Sequence, residues 1–142
     1  MTTQSFNFTK MVCFSLYSTS NAMIREYRPQ LDEFKLTYPQ FLVMMSLWNK
    51  DSVSIKELTK KILLDAATLT AILKRLKNKK YIQINLSHLD KRAKVIKLTK
   101  LGKSLRDKTS HIFEDMECRI KLSSNEQKQL ISVCNNILSR LT

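Results

Sequence analysis

Across 142 residues the chain holds one glycine, Gly102, and two prolines, Pro29 and Pro39. Glycine and proline are the residues that most readily stop a helix or turn a strand. So few of them predicts long helices and argues against a sheet-rich fold with many tight turns. At this length the chain is most simply one domain, able to bury roughly two-thirds of the surface its unfolded form exposes.

No apolar run approaches the about 20 residues that a membrane span needs. The opening MTTQSFNFTK lacks a basic leader followed by an apolar stretch, so it does not read as a secretory signal. A cytoplasmic protein with no membrane partner is expected. In that reducing compartment the three cysteines, an odd number, read as thiols rather than a disulfide framework.

Lys and Arg total 25 against 12 Asp and Glu, a net charge of +13, and the excess is concentrated. The segment 56–108 carries 16 basic and four acidic side chains, a net +12. Such a confined excess is the footprint of a surface that binds a polyanion; a solvated lysine-rich face without a partner is the alternative.

Periodicity orders the rest. From about residue 9 to 31, Val12, Leu16, Met23 and Tyr27 recur at helical spacing. LTYPQFLVMMSLWNK predicts a second helix with Pro39 in its first turn, apolar nearly all round and so destined for the core. Ser54 with Glu57 is a capping box opening a short third helix. After a short turn at residues 63–65, Asp65 is a good N-cap for LLDAATLTAILKRLKNKKY. There Leu69, Ile72, Leu73 and Leu76 form a packing stripe, while Ala67, Thr68, Thr70, Ala71, Lys74 and Lys77 occupy the other face. In YIQINLSHLDKRAKVIKL the period changes to two around a polar turn of about 87–93, a β-hairpin with a basic tip. A long helix follows over about 99–121, and Ser123 with Glu126 opens a last one bearing Leu130, Ile131, Cys134, Ile137, Leu138 and Leu141.

The expected fold is therefore mainly α with a small β-hairpin wing (α+β): a winged helix-turn-helix over about 36–99, flanked by helices at about 1–35 and 100–142. The flanking helices carry apolar stripes that the winged part does not need for its own core. A second copy of the chain would cover them in a two-fold dimer; folding back onto the same chain is the alternative.

At DKRAKVIKLTKLGKSL the residues Asp90, Arg92, Leu98, Thr99 and Gly102 follow LDAATLTAILKRLKNKKYI. This pattern resembles the wing and recognition helix of MarR-family regulators, and the likeness spans nearly the whole chain. Cys13, Tyr17, Tyr27 and Tyr38 are similar to the pattern of the organic-hydroperoxide-sensing, OhrR-type branch. The resemblance implies a homodimeric repressor released from pseudo-palindromic double-stranded operator DNA when an organic hydroperoxide oxidises the cysteine. It also implies that the tyrosines hydrogen-bond that sulfur, two of them across the dimer interface. Cys118 then resembles the resolving cysteine of the two-cysteine branch, while Cys134 reads as core. One departure is plain: Ala66 and Ala67 stand where family members often have a Ser-Gly pair, so one contact to DNA is missing.

Chemistry supports these assignments residue by residue. A helix entering the major groove meets base edges with its first turns. Ala66, Ala67, Thr68, Thr70 and Ala71 would supply methyls and hydroxyls, with Lys74 and Arg75 suited to phosphates. At the wing, Lys91 and Lys94 add charge, and Arg92 could enter a narrow A·T-rich minor groove with Asp90 orienting its guanidinium. A weak surface ion pair is the plainer reading of Asp90 and Arg92.

Composition alone makes Cys13 a small apolar filler. If Asn7 or Thr9 caps the first helix, however, Cys13 lies in its first turn or two, where the helix dipole favours thiolate. Tyr17, four residues on, shares its face and can donate to the sulfur. No enzyme activity, cofactor or metal is expected: His88 and His111 stand apart from each other and from any cysteine pair. Three rival functions remain: a MarR-type repressor released by a small phenolic ligand, a thiol peroxidase, and a basic architectural protein indifferent to DNA sequence. The second would need an Arg or Thr-Pro element beside Cys13, which the sequence does not provide.

Overall fold

The computed structural model describes residues 7–142. Among them are six α-helices and one three-stranded antiparallel sheet, in two compact units that meet at Thr109 and Ser110, within the fifth helix. None of the described helices is long and apolar enough to cross a membrane.

In the first unit a 3-10 turn, Phe8–Lys10, precedes α1, Val12–Asp32. Neither Asn7 nor Thr9 caps α1, contrary to the sequence reading: the Thr9 hydroxyl bonds Asn7 at 2.6 Å, and Met11 occupies the N-cap without a side-chain bond. Those two polar residues are spent on the preceding turn. Pro29 lies inside α1, near its C-terminal end. Helix α2, Tyr38–Asn49, begins with a complete capping box that sequence reading overlooked, Thr37 with Gln40, and with Pro39 in its first turn. Phe41, Val43, Met44 and Leu47 are buried, while Leu42, Met45 and Trp48 are half-buried.

Strand β1, Val53–Ser54, leads into α3, Ile55–Ile62. The box expected there is half-formed. Ser54 accepts from the Glu57 N–H at 3.1 Å, but the Glu57 carboxylate reaches Lys50 at 3.7 Å in an exposed ion pair worth under about 1 kcal/mol. Leu63 ends α3 in the left-handed region, and α4, Ala66–Asn78, starts three residues after it. Leu69, Ile72, Leu73 and Leu76 are all buried, as the stripe requires.

Strands β2, Ile82–Leu86, and β3, Lys94–Leu98, form the hairpin, with Ile84 opposite Ile96. Sequence reading missed the third strand. β1 pairs with β3 at Val53 and Ile96, too short a segment to show alternation. Helix α5, Lys100–Ile120, carries the chain's one glycine in its first turn. A Cβ on Gly102 would lie 2.0 Å from the Tyr81 carbonyl oxygen, so this is a close approach of two backbones that admits no side chain. Thr99 closes the joint: its hydroxyl accepts from the Gly102 N–H at 3.0 Å, and its own N–H donates to Tyr81 at 3.1 Å.

The second unit contains the end of α5 and α6, Ser124–Leu141. Ser123 and Glu126 form the complete box expected, and these bonds, the Ser123 N–H first, hold the Glu126 carboxyl below its ordinary range. No residue of α6 is buried; Leu130, Ile131, Leu138 and Leu141 are exposed.

With a single glycine available, five other residues among those described take positive φ: Lys35, Ser52, Leu63, Lys80 and Lys121. Each lies within three residues of the end of one of the first five α-helices.

Candidate functional site

Helices α3 and α4 with the turn between them form the helix-turn-helix, and the β2–β3 hairpin follows as the wing. On the outward face of α4, Ala66, Ala67, Thr68, Thr70, Ala71, Lys74 and Arg75 are all exposed. Its start is held by Asp65, whose carboxylate accepts from the Thr68 N–H at 2.8 Å and from the Thr68 hydroxyl. The hydroxyl bond first, and the N–H bond second, keep the Asp65 carboxyl below the usual aspartate range. The Thr70 hydroxyl donates back to the Ala66 carbonyl at 2.7 Å.

These bonds narrow what the two threonines offer. A hydroxyl has one proton to give and lone pairs to receive. With both protons directed into the helix, Thr68 and Thr70 present acceptors and methyls outward. A base amino group or a thymine methyl suits them; a phosphate, which only accepts, does not.

The Asp65 cap also has a pH signature. A lowered folded value means its contribution is complete above the ordinary aspartate value near 4 and is lost as pH falls through the lowered one. In an acid titration followed by NMR, the Thr68 amide should shift with a midpoint below about 3.9. A midpoint at or above that value would show that the cap's charge does not matter.

At the wing, Asp90, Lys91, Arg92 and Lys94 are exposed. Asp90 acts differently from the sequence expectation: its carboxylate accepts from the Arg92 backbone N–H at 2.9 Å, and its carbonyl accepts from the Ala93 N–H at 3.0 Å. It shapes the turn and leaves the guanidinium outward.

Cys13, Cys118 and Cys134 are free thiols; the first two are exposed and Cys134 is half-buried. Cys13 is the second residue of α1, and the neighbouring Met11, Val12, Phe14 and Leu16 are exposed too. Tyr17 shares its side of the helix but is 70% exposed, without a hydrogen bond to the sulfur within one protomer. Tyr27 and Tyr38 come together elsewhere, their rings 4.9 Å apart, with Phe41 at 6.4 Å from Tyr27. Burial pushes the Tyr38 phenol above its ordinary pKa. Fourteen residues of helix, about 21 Å, separate Tyr27 from Cys13. The four residues thus form two pairs at opposite ends of α1. Among the described residues no group of three or more His, Cys, Asp or Glu side chains is placed to hold a metal ion.

A family profile, transcriptional regulator SarA/Rot, matches residues 25–109, which include α2, the helix-turn-helix and the wing. The chain belongs to the SarA/Rot family of transcriptional regulators. The organic hydroperoxide resistance transcriptional regulator of Bacillus subtilis is 35% identical to this regulator over 130 residues, covering 92% of this chain and 88% of that one. The HTH-type transcriptional regulator SarZ of Staphylococcus aureus is 31% identical over 132 residues, 93% of this chain and 89% of that one. Among solved structures, reduced AbfR bound to DNA superposes with a TM-score of 0.78 at 27% identity, covering 95% of this chain and 94% of that one. The regulator thus has the MarR-type winged-helix fold that its wing residues suggested.

Proposed function

We propose that this chain is a repressor that releases operator DNA when a hydroperoxide oxidises Cys13. It is a DNA-binding transcriptional regulator of the MarR/SarA type, acting as a dimer on double-stranded DNA, and the organic hydroperoxide resistance relative supports the nature of the signal. The observation that carries the thiol reading is the position of Cys13: an exposed sulfur in the first turn of a 21-residue helix, beside exposed apolar residues that a second copy would cover. In such a dimer the Tyr27 and Tyr38 pair of one copy could approach the Cys13 of the other, which a single chain cannot achieve over about 21 Å.

The chemistry balances simply. The sulfur attacks the terminal peroxide oxygen, an S–O bond forms as the O–O bond breaks, and the alkoxide takes a proton to leave as alcohol. Sulfur loses two electrons and becomes sulfenic acid, a bulkier polar group that needs new hydrogen bonds. Cys118 of the other copy could then displace water from it to close a disulfide; its exposure permits this.

The test is a gel shift on DNA upstream of the regulator's own gene, before and after cumene hydroperoxide. Wild type should lose at least about tenfold in affinity, about 1.4 kcal/mol, while Cys13→Ser should bind equally under both conditions. A Cys13→Ser protein that lets go as readily as wild type would remove Cys13 from the mechanism. Non-reducing electrophoresis extends it, since a Cys118→Ser protein that still cross-links would exclude Cys118.

A cavity of about 230 Å3 beside Ile24, Arg28, Leu31 and Tyr38 supports a second reading, release by a small phenolic anion paired with Arg28. Release by a salicylate-like compound, with none by peroxide, would favour it.

A further inference from the structure

We infer that Lys79 is a positioning residue that joins the C-terminal end of the DNA-reading helix α4 to the α1–α2 joint, so that a shift of α1 against α2 reaches the DNA face through its ammonium group. The inference rests on the proposal that the signal is received at α1.

Three long-range bonds meet at this joint. The Lys79 ammonium donates to the carbonyl of Lys35, in the tight turn after α1, and to Gln40 Oε1 at 2.8 Å. Two residues on, the Tyr81 hydroxyl donates to the Phe34 carbonyl at 3.1 Å. Gln40 is 2% exposed, and its Oε1 also accepts from the Thr37 N–H at 3.2 Å, so the acceptor that Lys79 uses belongs to the box that starts α2. Tyr38 is the first residue of α2, and its ring lies against Tyr27 of α1. A displacement of the Tyr27–Tyr38 pair therefore moves the acceptors of Lys79 and Tyr81 directly.

The other end of the joint is equally well defined. Lys79 is the residue at which α4 stops, Lys80 takes φ 62°, and Tyr81 leads into β2. The Tyr81 carbonyl is gripped in turn by the N–H of Thr99 at 3.1 Å and has Gly102 packed against it. The lever thus has little slack: movement of the Phe34–Lys35 turn must pass to the end of α4 or break these bonds.

A lysine kept only for solubility would hold its flexible stem in water and retain its rotamer freedom. Here burial, with Arg75 and Lys35 nearby, disfavours the charged form, yet the group stays fixed on two acceptors. An ammonium held on two acceptors from another part of the fold is suited to transmit position.

The experiment compares wild type, Lys79→Met, Lys79→Arg and Tyr81→Phe on the same promoter fragment, reduced and after one equivalent of cumene hydroperoxide. Lys79→Met should bind in the reduced state within about threefold of wild type, with an unchanged salt slope, showing that no phosphate contact is lost. Its ratio of oxidised to reduced Kd should collapse to below about threefold from the larger wild-type value. Lys79→Arg should restore most of the ratio, and Tyr81→Phe, a milder change should Lys79→Met fail to fold, should lower it about twofold. A full wild-type ratio in both Lys79→Met and Tyr81→Phe would overturn the inference, as would a drop confined to reduced affinity and salt slope. If wild type itself ignores peroxide, the sensing proposal fails separately, and amide exchange judges the joint: Lys79→Met must speed exchange at both Leu36 and Tyr81, and unchanged rates at either would overturn it.

Discussion

Gly102→Ala should lower the free energy of unfolding by about 3 kcal/mol or more. The added methyl would meet the Tyr81 carbonyl oxygen at 2.0 Å, and the obstacle is backbone, not a side chain that can swing away. Two further anchors limit the escape of the helix. The Trp48 indole N–H donates to the Gly102 carbonyl at 2.9 Å, and Thr99 holds the Gly102 N–H. Relief would require lifting the first turn of α5 away from β2, which sacrifices these bonds and the packing beside them. Urea unfolding followed by circular dichroism measures the loss. A midpoint matching wild type would mean that the Tyr81 peptide rotates away at little cost, and the α5–β2 joint would then be far softer than its bonds suggest.

Arg92→Ala should weaken binding to the promoter fragment by about 1–3 kcal/mol, roughly fivefold to 150-fold. The side chain is exposed at the wing, with the turn beneath it set by the Asp90 carboxylate on its backbone N–H. Replacing the side chain leaves that backbone bond in place, so the loss should be one of contact, not of folding. If Arg92 serves a narrow minor groove, the penalty should be largest on A·T-rich flanks, where the negative potential is deepest. The log–log salt slope should also fall in magnitude by about 0.9 if one phosphate contact goes with it. Binding at wild-type strength on every fragment would dissociate the wing from recognition. Lys91→Ala, on the same tip, should cost less and show no preference among flanks, because a flexible ammonium chiefly contributes charge.

Much of this architecture was legible in the residues because local signals and packing agree. Asp65 ahead of Leu69, Ile72, Leu73 and Leu76 states both where α4 begins and which face it buries, and the structure follows both. The hairpin turn over residues 87–93 agrees likewise, since Ile82 and Ile84 pair with Leu98 and Ile96 across it. What escaped was what the fold creates by bringing distant segments together. Val53 becomes a strand only because Ile96 lies beside it. Lys79 reads as one of several basic residues in LKNKKY, and nothing in its neighbours announces partners 39 and 44 residues away. The N-terminal cap was misread for a different reason: Asn7 and Thr9 are good capping residues, but they satisfy each other one turn early. For the sulfur the sequence placed Cys13 and Tyr17 correctly on one side of a helix, whereas the pairing of Tyr27 with Tyr38 depends on the crossing of two helices.

The scarcity of glycine leaves a mechanical signature. Where most proteins relax the exit of a helix with a residue that has no side chain, this one uses lysine, serine and leucine at φ values of 53–62°. Left-handed backbone disfavours such residues by about 1–2 kcal/mol each. Every bend between consecutive helices of the first unit consequently carries a small conformational cost, which the groups that grip it offset. Backbone strain of this kind sits at the corners of the unit and not along its helices.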